Sequence, residues 1–373
     1  MNMHIHKMGK HLNWFAGVLM FAIVFTLTGC KPINGHDTKK PGVPSTPETF
    51  SLTFSAGEYG TLKVKSDGIA EGSTSPINIE FGKTVEFTAV PSSGYQVDLW
   101  TVTPLGALMS DGRQGDTTAK VKITANTIVG ITFKPVYTQV PYTDLDNCLK
   151  TIEPAHDGIC YIEVTGLTKD DLKYNSGGAS SQVNASPLGE MLKKYSQKRI
   201  ALKFGDTPIS GLTDMDCCFY GCANLVEVSD IPSGISNMQG CFIDCTSLET
   251  APIIPANVIN IKECFAGCTS LSRVPVIPQN VQRMGECFSG CISLVSVPVI
   301  PATVEKMKEC FNNCTKLTAV TLQCNYNDKF ENVFQNCTGL TAGSIKVPTD
   351  QLQMYKDHAD ELGAQAEWFT KDE

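Results

Sequence analysis

Cysteine is the residue type in this chain that most invites chemistry. The sequence holds 16 cysteines in 373 residues. Most fall in two columns four residues apart: Cys218 and Cys222, Cys241 and Cys245, Cys264 and Cys268, Cys287 and Cys291, Cys310 and Cys314, then Cys337 alone. Thiols in such rows admit three kinds of chemistry. They can ligate a metal, oxidise to disulfides, or pack as small apolar groups.

The metal reading lacks partners. Zinc sites combine Cys-x-x-Cys pairs with each other or with His. Past residue 29 the only histidines are His36, His156 and His358, and none lies among the columns. Val333 takes the first Cys place in the last copy, a change that a packing site tolerates and a ligand site does not. Cys148, His156 and Asp157 lie close in sequence, a weak signal for a nucleophile. There is no phosphate-binding Gly loop and no His-Glu zinc motif. The chain therefore reads as a non-enzyme without metal or cofactor, and the thiol columns read as core. Some disulfides remain the alternative.

The columns belong to a repeat. Every step is 23 residues, over six copies. Phe219, Phe242, Phe265, Phe288, Phe311 and Phe334 form one column, and Leu225, Leu248, Leu271, Leu294, Leu317 and Leu340 another. Repeats that cannot bury an apolar face alone bury it by stacking. The column Gly221, Asp244, Gly267, Gly290, Asn313, Asn336 holds residues that tolerate a left-handed backbone, which predicts the stop of a short helix. A strand follows. Alternation in Leu271–Val276 points Leu271, Val274 and Val276 inward, and Arg273 and Pro275 outward. The same register puts Glu227, Ser229, Thr250, Pro252, Ser296, Pro298, Ala319 and Thr321 outward. Glu227, Ser229, Thr250, Arg273, Ser296 and Thr321 are thus the candidate ligand-binding residues. One strand and one helix per repeat give an α/β solenoid over residues 200–348. Residues 136–199 serve as linker and N-terminal cap. In residues 349–373, Leu352, Tyr355, Ala359 and Leu362 share one face of a capping helix that Thr349 would start.

The motif C-F-x-x-C-x-x-L-x-x-V with its trailing Ile-Pro resembles the treponemal-type, BspA-like leucine-rich repeats. Members more often carry Ala at the first Cys. The resemblance implies a surface or secreted binding protein that adheres to host extracellular matrix, a cell-surface ligand or other microbes.

Residues 49–135 read as a small all-β domain. Thr84-Val85-Glu86-Phe87-Thr88-Ala89-Val90 alternates with period two, and Pro91-Ser92-Ser93-Gly94-Tyr95 follows as a turn. This stretch, with Gly82, Val97 and Trp100, resembles the divergent InlB B-repeat family, which implies a spacer or adhesive module.

At the start, Lys7 and Lys10 precede the apolar run Trp14–Phe25, which ends at Leu27-Thr28-Gly29-Cys30. That tetrapeptide resembles the lipobox of bacterial lipoproteins. It implies a signal peptide at residues 1–29, lipidation at Cys30 and a tether at residues 30–48. A transmembrane anchor is the other reading, but the run is short of the roughly 20 residues a span needs. The expected location is the bacterial envelope, lipid-anchored and surface-exposed on the outer membrane. Cleavage would move the net charge from −8 to −10. That disfavours nucleic acid as a partner. Lipidation would also leave an odd number of thiols, with Cys148 and Cys160 the best-placed pair for a single bridge.

The expected function is weak, multivalent adhesion. Six strands at about 4.8 Å span roughly 24 Å, so the exposed strand face is on the order of 300 Å². A standard interface takes about 800 Å² from each partner. The competing readings are a passive spacer and a thiol-redox or metal-binding protein.

Overall fold

The computed structural model describes residues 47–66, 74–109, 112–174, 184–205, 208–229 and 231–372. Cys30, the leader and most of the tether lie outside them.

The first strands are β1 (Thr49–Ala56), β2 (Gly60–Lys65), β3 (Ile77–Glu80), β4 (Thr84–Pro91), β5 (Tyr95–Thr103), β6 (Thr118–Lys122) and β7 (Thr127–Pro135). They form two sheets, ordered β3-β1-β7-β5 and β2-β4-β6. Alternation decides which side chains meet between them. Val85, Phe87 and Ala89 of β4 are buried, as are Val129, Ile131 and Phe133 of β7. A register shift between Val97 and Trp100 changes the phase of β5, so that Tyr95 and Val97 before it and Trp100 and Val102 after it all reach the core.

The solenoid opens with β8 (Thr138–Pro141), α1 (Leu145–Thr151), β9 (Ile159–Thr165), α2 (Pro187–Lys193), β10 (Arg199–Phe204) and β11 (Leu225–Ser229). The strands pair in parallel in the order β11-β10-β9-β8. Pro187 occupies the first turn of α2, and the Ser186 hydroxyl accepts from the Gly189 N–H at 3.2 Å. Asn224 ties the helix to the first coil. Its amide nitrogen donates to the carbonyls of Leu192, Tyr195 and Lys198 at 3.1, 3.1 and 3.2 Å.

Within the repeats the expected helix is not formed. Each coil carries two residues with positive φ four apart. One precedes the first Cys position: Cys217, Gly240, Glu263, Glu286, Glu309 and Asn332, with φ from 50° to 58°. The other is the Gly/Asp/Asn column, with φ from 56° to 75°. A right-handed helix cannot run through a left-handed residue. The segment folds as two tight turns instead. Alternate N–H groups close those turns, such as Cys218 to Met215 at 3.2 Å and Cys222 to Phe219 at 3.0 Å. The intervening N–H groups donate to the next coil. Cys217, Phe219 and Gly221 reach the carbonyls of Gln239, Cys241 and Ile243 at 2.9, 2.8 and 2.8 Å, and the pattern recurs in each following coil through Asn313. The turn side of the array is therefore a continuous hydrogen-bonded ladder rather than a row of helices. The solenoid fold stands.

The Phe column fills the interior. Adjacent rings from Phe219 to Phe334 stack with centroids 5.4 to 5.8 Å apart and planes within 17° of parallel. Burying each ring fully contributes roughly 1.5–3 kcal/mol.

The far end closes with β12 (Val320–Thr321), β13 (Ile345–Val347), α3 (Leu352–Asp357) and β14 (Phe369–Lys371). The capping helix is shorter than the sequence pattern predicts, and its N-cap is Gln351 rather than Thr349. Thr349 instead faces the chain end, donating to the Asp372 carbonyl at 3.5 Å. Tyr355 is buried on the helix and Leu352 is half-buried, whereas Ala359 and Leu362 are buried in the turns that follow it. Glu361 and Leu362 accept from the N–H groups of Asn332 and Phe334, at 2.8 and 2.9 Å. This covers part of the last coil's ladder edge.

Candidate functional site: the strand face and the thiol core

The six candidate residues do not share one environment. Thr250, Arg273 and Ser296 are exposed, while Glu227, Ser229 and Thr321 are half-buried. Parallel bridges hold Thr250 beside Arg273 and Ser296 beside Ala319, but no regular strand runs through these coils. Period two consequently fails there, which corrects the expected register. Val276 is not inward: it is 73% exposed, and Ile277 is fully buried in its place. Pro252 is buried rather than outward, and Pro275 and Pro298 are half-buried. Proline cannot donate to a ladder, so the chain leaves the pleat at this column.

The shifted register has a consequence for the surface. Ile253, Val276 and Val299 lie 23 residues apart and are 70%, 73% and 41% exposed. They make an apolar row across three coils, three residues beyond Thr250, Arg273 and Ser296 along each coil. The periodicity of this row was visible in the sequence. Its exposure was not, because apolar residues at a regular step read as core.

The β domain occupies the start of the same face. Tyr161 of β9, Ala201 of β10 and Val226 of β11 point away from the solenoid interior and are buried in one cluster with Tyr95, Val97 and Phe133 of the β domain. The Tyr95 hydroxyl donates to the Asp157 carboxylate at 2.7 Å, and Tyr161 donates to the same oxygen at 2.7 Å. The ring of Tyr59 stacks on Tyr95 at 4.3 Å. The backbone joins as well, His156 N–H to the Ser93 carbonyl at 3.0 Å. Gly94 has a φ of +81°, and any side chain there would overlap Ala155. The free strand face therefore begins near Glu249, which Arg199 pairs at 2.9 Å. Asp157, the acid of the weak Cys-His-Asp signal, serves this joint.

The thiols are core groups in the structure. All of the described cysteines are free, and both repeat columns are buried. The second column has a further task. The Sγ–H of Cys245, Cys268, Cys291, Cys314 and Cys337 donates to the carbonyl of the Phe one coil back, at 3.2, 3.1, 3.1, 3.0 and 2.9 Å. Burial pushes these thiols up, Cys337 to about 12. Such thiols are neutral donors, not nucleophiles. Cys148 and Cys160 pack into one core, and both are free thiols in the structure. Among the described residues no group of His, Cys, Asp and Glu is placed to hold a metal ion, and no helix is long and apolar enough to cross a membrane.

A polar column between the coils escaped the sequence reading. Asn237 donates to Asp214 at 2.8 Å, and Asn260 to Asn237 at 2.9 Å. Asp214, Asn237 and Asn260 also stand 23 apart, so the same alignment that exposes the Phe column contains the signal.

Residues 215–309 and 262–359 match the family model for the BspA type leucine rich repeat region, in six copies. Residues 50–137 match the model for the divergent InlB B-repeat domain. No curated protein matches the chain. Two solved structures are similar to it. One is the T. pallidum leucine rich repeat protein, 26% identical, with 46% of this chain and 85% of that chain covered and a TM-score of 0.35. The other is a leucine-rich repeat protein from Bacteroides ovatus, 26% identical, with 46% of this chain and 45% of that chain covered and a TM-score of 0.32. With its 23-residue coils and the sandwich that precedes them, the chain carries a BspA-type leucine-rich repeat region behind a divergent InlB B-repeat domain.

Proposed function

We propose that this protein is a binding module displayed on a bacterial surface, held by a lipid on Cys30 and adhering weakly through the strand face of its repeats. A leucine-rich repeat region is consistent with a protein-interaction module. The partner would be a component of host extracellular matrix, a cell-surface ligand or another microbe. The observation that carries the reading is the exposed row Ile253, Val276 and Val299 beside Thr250, Arg273 and Ser296. Apolar groups rimmed by polar ones on a flat surface mark contact sites. The area is modest, and the β domain covers the first coils, so one copy holds a partner weakly. Many copies on one cell supply avidity.

A binding screen of the mature protein against matrix proteins tests the contact. Antibody labelling and proteinase shaving of intact cells test the display. Cells that neither label nor lose the protein would overturn surface adhesion. A passive spacer is the outcome if the protein is displayed and nothing in the screen binds.

A further inference from the structure

The last coil leaves its ladder unfinished, and that end of the array carries a second candidate site. In the five coils before it, the residue at the Gly/Asp/Asn position donates its N–H to the next coil. In the last coil that residue is Asn336, and among the described residues nothing accepts from its N–H. A cleft of about 540 Å³ opens there. Its floor is Cys337 and Leu340, both buried. Its walls include Thr341, Gln365, Glu367 and Trp368. The side chains of those four wall residues make no hydrogen bond within the described protein, although the segment's backbone is fixed by Gly343 N–H to the Glu367 carbonyl at 2.9 Å. Trp368 is half-buried against the core, and Thr341, Gln365 and Glu367 are exposed.

We infer that this cleft binds a short neutral oligosaccharide. The volume lies within the roughly 300–1,000 Å³ of small-ligand sites. A sugar ring offers an apolar C–H face and a rim of hydroxyls. An indole supplies the matching apolar plane and one N–H donor. A carboxylate accepts from adjacent hydroxyls, while an amide both donates and accepts. Asn336, exposed at the cleft, adds a backbone N–H that no protein group accepts among the described residues. Glu367 is the single charge among the lining residues, so an acidic sugar would meet repulsion. Gln365, Glu367 and Trp368 lie beyond residue 359, where the repeat match ends, while the floor residues Cys337 and Leu340 lie within it, so the cleft joins the last repeat to the segment that follows.

The inference rests on reading the chain as a binding protein, but it uses residues remote in sequence from the strand face. The test is a titration of the mature protein with neutral trisaccharides of glucose, galactose and N-acetylglucosamine, followed by tryptophan fluorescence and calorimetry. Sialylated and sulfated trisaccharides and an extended peptide serve as comparison ligands. At least one neutral sugar should bind. Affinity should fall about tenfold or more in Trp368→Ala and Glu367→Gln, a loss of about 1.4 kcal/mol. Ala342→Arg, at an exposed lining position, should block the cleft without touching the core. It keeps the test open if Trp368→Ala fails to fold. Arg273→Glu should leave sugar binding unchanged, which separates this site from the strand face. Absence of neutral-sugar binding, indifference to Ala342→Arg, or preference for acidic sugars or the peptide would overturn the inference.

Discussion

The hydroxyl of Tyr95, in the β domain, donates to the carboxylate of Asp157, in the solenoid cap, at 2.7 Å. Tyr161 of the solenoid sheet completes the triangle, with its hydroxyl 2.7 Å from the same oxygen and 3.2 Å from that of Tyr95. Burial raises both tyrosines well above their ordinary values, so they remain protonated donors. The two domains should therefore unfold together. Hydrogen bonds to a charged group contribute about 1.5–3 kcal/mol. Tyr95→Phe should cost that much and Asp157→Asn no less, because it leaves two buried hydroxyls competing for a neutral acceptor. Calorimetry of the native protein checks the coupling: two separate transitions would refute a fixed joint.

A second prediction concerns backbone strain. Glu286 sits at φ 56°, in the column where Gly240 occupies the same place in an earlier coil. A left-handed residue with a side chain costs about 1–2 kcal/mol, against up to about 1 kcal/mol of extra chain entropy for Gly. Burial, then the neighbouring Glu263, pushes the Glu286 carboxyl up, so removing it relieves a desolvated charge as well. Glu286→Gly should stabilise the protein by about 1 kcal/mol. Urea denaturation decides it, and a lower midpoint would count against the strain.

Much of this architecture was legible in the sequence, and the limits have physical causes. The Phe and Leu columns need only a period to be recognised, because stacking repeats put identical positions in contact. The Gly/Asp/Asn column signalled a left-handed backbone correctly. Its partner column did not, because Glu263, Glu286 and Glu309 are not residues that ordinarily adopt positive φ. Missing that column turned a pair of turns into a predicted helix. Val276 was misplaced for a related reason. Alternation presumes a pleated strand, and Pro275 ends the pleat. The docking of the β domain had no local signal, since Tyr161, Ala201 and Val226 are ordinary strand residues until a second surface covers them.

For the strand face, Val276→Ser and Arg273→Glu should leave folding intact, because both side chains are exposed. Their stability should stay within about 0.5 kcal/mol of the parent. Binding to whichever matrix component the screen identifies should fall about tenfold or more in the double variant. Equal binding by parent and double variant, with both folded, would remove the strand face from the account.

The last prediction follows from the thiol core. Cys264, Cys287 and Cys310 are buried, and burial holds each well above its ordinary value. An unfolded thiol titrates near about 8.5. Below that pH both states keep the proton, and the thiols confer no pH dependence. Above it the unfolded chain loses protons that the folded chain retains. Stability is therefore fully present below about pH 8.5 and falls as pH rises toward the folded values. Well above pH 8.5 each thiol approaches a slope of about 1.4 kcal/mol per pH unit. Val333 occupies the same column in the last coil, so Val is the natural replacement. The triple variant Cys264→Val, Cys287→Val and Cys310→Val should reduce the alkaline slope by up to about 4 kcal/mol per pH unit. Urea midpoints at pH 7, 9 and 10 measure it. Identical slopes in parent and variant would mean that these thiols are not buried and neutral in the folded protein.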